Sequence, residues 1–407
     1  MKPDVSLLLK TAEKHFETVL QVRRHLHQYP ELSFQEYGTS EYLRKALGAA
    51  DIAFTFGHVK TGIIALIRGK NPEKKTILVR ADMDALPIQE KNEVPYRSQN
   101  DGIMHACGHD VHSACALGTA LVLQDLREHF EGTVKIMFQP GEEVLPGGAS
   151  LMIKEGVLEN PRIDKAIALH VFPEMEAGEL GFREGMYMAS TDELYVTVKG
   201  KGGHAAMPAH YRNPLLCAAD FLMRVEEKFM SPAAQQSLQA KGLPTVIAFG
   251  KIEGAGATNV IPDEVRLAGT FRTMNEDWRA EVHRLLGQLA AELTEHYQQE
   301  LELRIEKGYP FLVNDVDFTR RCKQAATELL GKEKVNNLPL RMTAEDFAFI
   351  SQKVPSCFFR LGTGNKAAGL TSGVHTATFD VDERALLTGV QTLSWLTMQE
   401  LNLDTAG

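Results

Sequence analysis

Four short runs rich in Ile, Val and Leu recur through the first half of the chain: TGIIALIRG, KKTILVRADMD, TVKIMFQPGEE and DKAIALHVFP. Each is bounded by charge or by Gly and Pro, as strands buried on both faces are. Between the second and third, HSACALGTALVLQDLREHF spaces Ala114, Leu117, Leu121 and Leu126 as one face of a helix. Between the third and fourth, GGASLMIKEGVLEN reads as a shorter helix. Strand–helix–strand alternation restricts the chain to an α/β architecture, a mostly parallel sheet covered by helices.

The texture changes near Met186. DELYVTVKGKGGHAA alternates apolar and polar residues, as a half-exposed antiparallel strand does. A helix follows in NPLLCAADFLMRVEEKFM, then strands in PTVIAFGKIEGA and DEVRLAGTFRTM, then a long helix from NEDWRAEVHRLL onward. This β-α-β-β-α order suits a small α+β, ferredoxin-like domain. Beyond it the first style returns: a helix in FTRRCKQAATELLG, a buried strand in SCFFRLGTG and a closing helix in ERALLTGVQTLSWLTMQELN. The expected organisation is one α/β domain, residues 1–187 and 305–407, interrupted by an α+β domain over residues 188–304. A chain of 407 residues is too long for a single core.

Composition narrows the function. Hydrophobic residues make up 44 % and charged residues 24 %, an ordinary globular balance, and the formal net charge of -9 argues against a nucleic-acid or membrane-surface partner. No apolar run approaches the roughly 18 residues of a membrane span. The opening MKPDVSLLLKTAEKHF has too short an apolar run for a signal peptide and reads as an amphipathic helix ending before Pro30. Five scattered cysteines with no C-x-x-C pair point to reduced thiols in a cytoplasmic protein.

Three of the expected strands end in ligand-type residues: ILVR runs into Asp82 and Asp84, KIMF into Glu142 and Glu143, and AIAL into His170. Ligands of open α/β sheets gather beyond the carboxyl ends of the strands. The connection after the first of these strands carries IMHACGHDVHSA, with His105, Cys107, His109, Asp110 and His112. On a helix, Cys107 and His109 would point about 200° apart. They converge only from a turn, which Gly108 permits. Thiolate with imidazole suits zinc, nickel, cobalt or manganese. Adjacent Glu142 and Glu143 point to opposite sides, so one can ligate while the other serves as general base. His105 and His112 read as supporting residues, and Asp110 as a supporting or helix-start residue. Each piece has a bland reading: core histidine, capped turn or solvated carboxylate. Cys107 could also be a nucleophile with His109 as its base. The joint pattern favours a metal site.

Eight ordered stretches, RADMDALPI, MHACGHDVH, FQPGEE, ALHV, GKGGHAAMP, TNVIPDEVRLAGTFR, AEDFAF and SGVHTATFD, resemble the M20 metallopeptidases, and within them the aminoacylase-like amidohydrolases. The resemblance implies an α/β catalytic domain holding one or two divalent ions (zinc, manganese, nickel or cobalt) and an inserted domain acting as a lid. It also implies a homodimer or higher homo-oligomer formed through that lid domain. The ligands it implies are Cys107, His109, Glu143, His170 and His375, with Glu142 as general base and Asp84 orienting the site. Asp82 stands where other branches carry a ligating His. His204 would stabilise an oxyanion, and Asn259 and Arg272 would hold the substrate's carboxylate. The implied reaction is hydrolysis of an N-acyl amino acid by a metal-activated water. The rivals are a Cys107-nucleophile hydrolase and a catalytically silent binding protein on the same fold. Two departures, Ala377 where Pro usually follows HT and the loop VLPGGAS, bear on loop shape and remove no ligand.

Overall fold

A computed structural model describes residues 4–403. The chain divides into two compact units, one formed by Met1–Gly185, Val313–Pro339 and Asp346–Gly407, the other by Met186–Leu312 and Leu340–Glu345. The second unit thus closes later than residue 304 and includes a short returning segment.

The first unit opens with α1 (Val5–Gln28) and α2 (Tyr37–Ala49). Asp4 caps α1 by accepting from the amides of Ser6 and Leu7. Its sheet contains β1 (Ala53–His58), β2 (Gly62–Arg68), β3 (Thr76–Asp82), β4 (Thr133–Gln139), β5 (Lys165–Glu176), β6 (Leu180–Phe182), β7 (Val335–Asn337) and β8 (Ser356–Gly364). The spatial order is β1-β2-β4-β3-β5-β8-β6-β7. The pairings of β3 with β4, β3 with β5, β5 with β8 and β6 with β7 are parallel. Those of β1 with β2, β2 with β4 and β6 with β8 are antiparallel. The sheet is therefore mixed, its parallel centre formed by the strands whose apolar runs are continuous.

Helix α3 (His109–Asp125) links β3 to β4, and α4 (Gly148–Lys154) lies between β4 and β5. Fifteen of the 17 residues of α3 are buried. That explains why its apolar stripe is so broad: it packs against the sheet, α1 and the closing α6 (Arg384–Asn402), with α5 (Val316–Leu330) also against α6. Because β4 is added on one side of β3 and β5 on the other, the carboxyl end of β3 faces the crevice where such folds bind ligands. Register makes this edge a row. Asp82 pairs with Gln139, Arg80 pairs with Ala168, so His170 stands level with Asp82, and Arg360 pairs with His170.

The second unit has a four-stranded antiparallel sheet of residues Asp192–Lys199, Thr245–Glu253, Glu264–Thr273 and Glu300–Lys307. The last of these strands lies past the long helix and is absent from the sequence reading above. It completes a β-α-β-β-α-β order in which Asp192–Lys199 is paired on both sides. Helices Pro214–Val225 and Glu276–Tyr297 cover one face over a core of its own, with Phe221, Phe271, Leu286 and Leu293 fully buried. No helix among the described residues is long and apolar enough to cross a membrane.

Candidate metal centre

The site grows from the carboxyl edge of β3. Asp82 ends the strand, and Asp84 follows it, both buried. Asp84 organises what surrounds it. One oxygen accepts from the backbone amide of Glu142 at 3.0 Å and faces His109 Nδ1 at 3.3 Å; the other accepts from the amide of Glu143 at 3.0 Å and from Ser33 Oγ at 2.7 Å. Its carboxyl resists the upward push of burial and stays below its usual range, held by His109, Ser33 and the Glu143 amide. Asp84 thus makes four contacts with the segments around it.

Cys107 and His109 are brought together by Gly108, whose φ of 82° is left-handed. A Cβ there would stand 2.5 Å from Val171, so only glycine lets this turn approach β5. Cys107 Sγ lies 3.5 Å from His170 Nε2 and 3.2 Å from His375 Nε2. His375 Nε2 is in turn 3.2 Å from Glu143 Oε1, which is 3.8 Å from His109 Nε2. His375 reaches this place on a loop tied to the cysteine's own turn, its amide donating to Ala106 O at 2.7 Å. Donor atoms of Cys107, His109 and His170, of Cys107, Glu143 and His375, and of His109, Glu142 and Glu143 form three groups, each within 4.8 Å. Glu142 stands beside this set, buried, with the Asp346 amide donating to its Oε1 at 3.3 Å.

The hydrogen-bonding states separate ligands from supports. His170 Nδ1 lies 2.8 Å from Val171 O, so that nitrogen carries the proton and Nε2 keeps a free lone pair toward Cys107. His112 is committed on both sides: Nδ1–H donates to Asp82 at 2.6 Å and Nε2 accepts from the Val171 amide at 2.9 Å. It therefore braces Asp82 against β5. Asp82 also accepts from Arg80, a fully buried guanidinium that reaches Gln139 and Asp346 as well. Burial would raise the Asp82 carboxyl, but Arg80, His109 and His112 hold it well below its usual range. His105 finds no hydrogen-bond partner for either ring nitrogen, and burial pushes it down to about 4, leaving it neutral. Asp110, in the first turn of α3, accepts from Arg23 and His27 of α1.

This donor set fits a cation. His109 Nε2 and Glu143 Oε1 are buried without a hydrogen-bond partner, and orphaned polar atoms of this kind are what a bound ion satisfies. Burial and the nearby Glu143 push the Cys107 thiol well up, whereas coordination would favour the thiolate.

In the second unit, His204 pairs with Val260 in a two-residue ladder, and the Ala205 amide donates to Asn259 O at 3.0 Å. His204 and Asn259 are therefore neighbours, both exposed. Arg272, half-buried on the Glu264–Thr273 strand, donates to Met342 O at 3.3 Å. Arg80, Gln139 and Asp346 lie within the stretches RADMDALPI, FQPGEE and AEDFAF but were given no role from sequence, and Glu36 lies outside all eight stretches.

Comparison with known proteins gives a consistent result. The model of peptidase family M20/M25/M40 matches residues 78–399. An N-acetylcysteine deacetylase of Bacillus subtilis is 34 % identical over 93 % of this chain and 96 % of its own length. An N-acetyldiaminopimelate deacetylase of a Geobacillus strain is 35 % identical over 94 % and 98 %. A crystal structure of a Bacillus subtilis protein described as a dinuclear metal-binding peptidase of the M20 family superposes with a TM-score of 0.79 at 31 % identity, covering 96 % of this chain and 99 % of that one. The chain belongs to peptidase family M20/M25/M40, and it is a hydrolase of that family.

Proposed function

We propose that the protein hydrolyses the amide bond of N-acyl amino acids, with Cys107, His109, Glu143, His170 and His375 holding one or two divalent ions and Glu142 acting as general base. The observation that carries the reading is the placement of Glu142 beside His109 Nε2 and Glu143 Oε1, two buried atoms without a hydrogen-bond partner. It lies with His109 and Glu143 in one cluster, while Cys107, His170 and His375 close the other sides. A divalent ion in this set supplies Lewis-acid polarisation of the carbonyl and lowers the pKa of water. Glu142 removes the proton from the attacking water and returns it to the leaving amine. The Asp346 amide holds the Glu142 carboxylate while it does so. The substrate's free carboxylate is assigned to Arg272 and Asn259, because a guanidinium fork matches a carboxylate bidentately. His204 is assigned to the oxyanion, a donor role that contributes roughly 3–4 kcal/mol when removed. The deacetylase activity of the two relatives agrees with an N-acyl substrate. Dimerisation through the second unit and a cytoplasmic location belong to the same reading.

The Cys107-nucleophile alternative is disfavoured by the thiol itself, which burial pushes away from the thiolate form. The test is a panel of acetyl, benzoyl and indoleacetyl conjugates of many amino acids, assayed after chelation and after restoring zinc, manganese, nickel or cobalt. Hydrolysis that vanishes with chelation and returns with metal is expected. Activity indifferent to chelation but lost on thiol alkylation would assign the chemistry to Cys107, and no hydrolysis of any conjugate with metal restored would remove the proposed function.

A further inference from the structure

We propose that Glu36, far from the clustered motifs in sequence, is a positioning residue for hydrolysis that holds the turn presenting Glu142 and Glu143. The proposal rests on the reading of Glu142 as the base.

The turn after β4 carries three consecutive amides, at Gly141, Glu142 and Glu143, and each is received by a buried carboxylate. Asp84 takes the amides of Glu142 and Glu143, and Glu36 Oε1 takes that of Gly141 at 2.9 Å. The same Glu36 oxygen accepts from the Phe34 amide at 2.8 Å, and Oε2 accepts from Thr61 Oγ1 at 2.7 Å. Glu36 is wholly buried. Phe34, at φ 64°, and Gly141, at φ 61°, are both left-handed. A Cβ on Gly141 would lie 2.4 Å from the Phe34 ring. A strained left-handed Phe34 is thus pressed against the Gly141 turn and joined to it by one carboxylate, an arrangement that persists only where its surroundings over-determine it.

The position is an expensive one for a purely structural acid. Burial and the charge of Asp84 push the Glu36 carboxyl up to about 7. Ser33, the residue before Phe34, donates to Asp84, so the segment from Ser33 to Glu36 touches both carboxylates that hold the turn. Without Glu36, the Gly141 amide loses its acceptor and the turn loses one of its three anchors. Small misplacements of a catalytic group lower turnover more than binding.

The test compares Glu36→Ala, Glu36→Gln and Thr61→Val in the full chain. Hydrogen exchange at the amides of residues 141–143 is read first, since it needs neither metal nor substrate. Glu36→Ala is expected to speed exchange there by about 10-fold or more, Glu36→Gln to restore most of the protection, and Thr61→Val, which removes only the bond to Oε2, to have a clearly smaller effect than Glu36→Ala. On a hydrolysed conjugate, Glu36→Ala is expected to lower kcat by about 10- to 100-fold with KM and metal content little changed. Unchanged exchange in Glu36→Ala, or a kcat loss that Thr61→Val shares in full, overturns the inference. If Glu36→Ala does not fold, Glu36→Asp, one methylene shorter, carries the same comparison. A wild type that hydrolyses nothing refutes the proposed function, and the exchange measurement still decides whether Glu36 holds the turn.

Discussion

At the scale of single residues, the two histidines that follow Cys107 are distinguished by what their second nitrogen does. His109 leaves Nε2 without a partner, whereas His112 spends both nitrogens on Asp82 and Val171. The contact to Val171 matters because His170 Nδ1 is fixed by the carbonyl of that same residue. Removing a group that orients a metal-binding imidazole typically weakens binding by about 10- to 100-fold. His112→Ala should therefore raise the dissociation constant for zinc by that factor in titrations of the metal-free protein, with the fold retained by circular dichroism. Zinc affinity equal to wild type would show that His112 does not support the site. IMHACGHDVHSA let Cys107 and His109 be paired across Gly108 and His112 be read as a supporting residue, but the bonds each ring makes were not legible there. Chemistry type could be read there, but tautomer and partner depend on β3 and β5 arriving from elsewhere in the chain.

At the scale of elements, the buried pairing that joins the helix Glu276–Tyr297 to the strand Asp192–Lys199 is the best test of the second unit. Asp192 accepts from Arg279 Nε at 3.0 Å, from His283 Nε2 at 2.6 Å and from the Gly308 amide at 3.1 Å, and both Asp192 and Arg279 are buried. Breaking such a pair leaves a buried guanidinium with only Glu276, at 3.1 Å on its outer side, as counter-charge, at a cost of up to about 3–5 kcal/mol. Asp192→Asn should lower unfolding stability by that amount in urea titrations. Burial alone would raise the Asp192 carboxyl, but His283 and Arg279 hold it below its usual range. Its stabilisation is therefore complete above the ordinary aspartate pKa of about 4 and fades as pH falls below it. The variant should show a flatter acid dependence than wild type; an identical one would contradict the assignment. Element type was readable where periodicity was strong, as in α3 and the four apolar runs. The Glu300–Lys307 strand was not, because ELELRIEK follows a long helix with no Gly or Pro to mark the change. β1 and β6 were not read at all, and the antiparallel direction of β2 was hidden, since strand direction is set by pairing partners rather than by composition.

At the scale of the whole molecule, two cores are built from a chain whose first unit is discontinuous, and the site draws on segments separated by much of its length. The strand-end carboxylates and His170 could be gathered by the general rule for open α/β sheets. His375 could not, because nothing local in VHTATF points to the Cys107 turn, and the bond from its amide to Ala106 O exists only in the folded chain. The resemblance in motif order supplied what local physics could not. Family membership, now shown by matches spanning nearly the whole chain, establishes the hydrolase class and leaves the substrate to experiment. The central claim is the division of labour between Glu142 and its neighbours, and the most direct measurement is turnover of Glu142→Gln alongside elemental analysis of the same sample. Metal content equal to wild type with kcat lowered by about 10²–10⁴-fold is expected for loss of a general base; turnover close to wild type with the metal still bound would contradict the account.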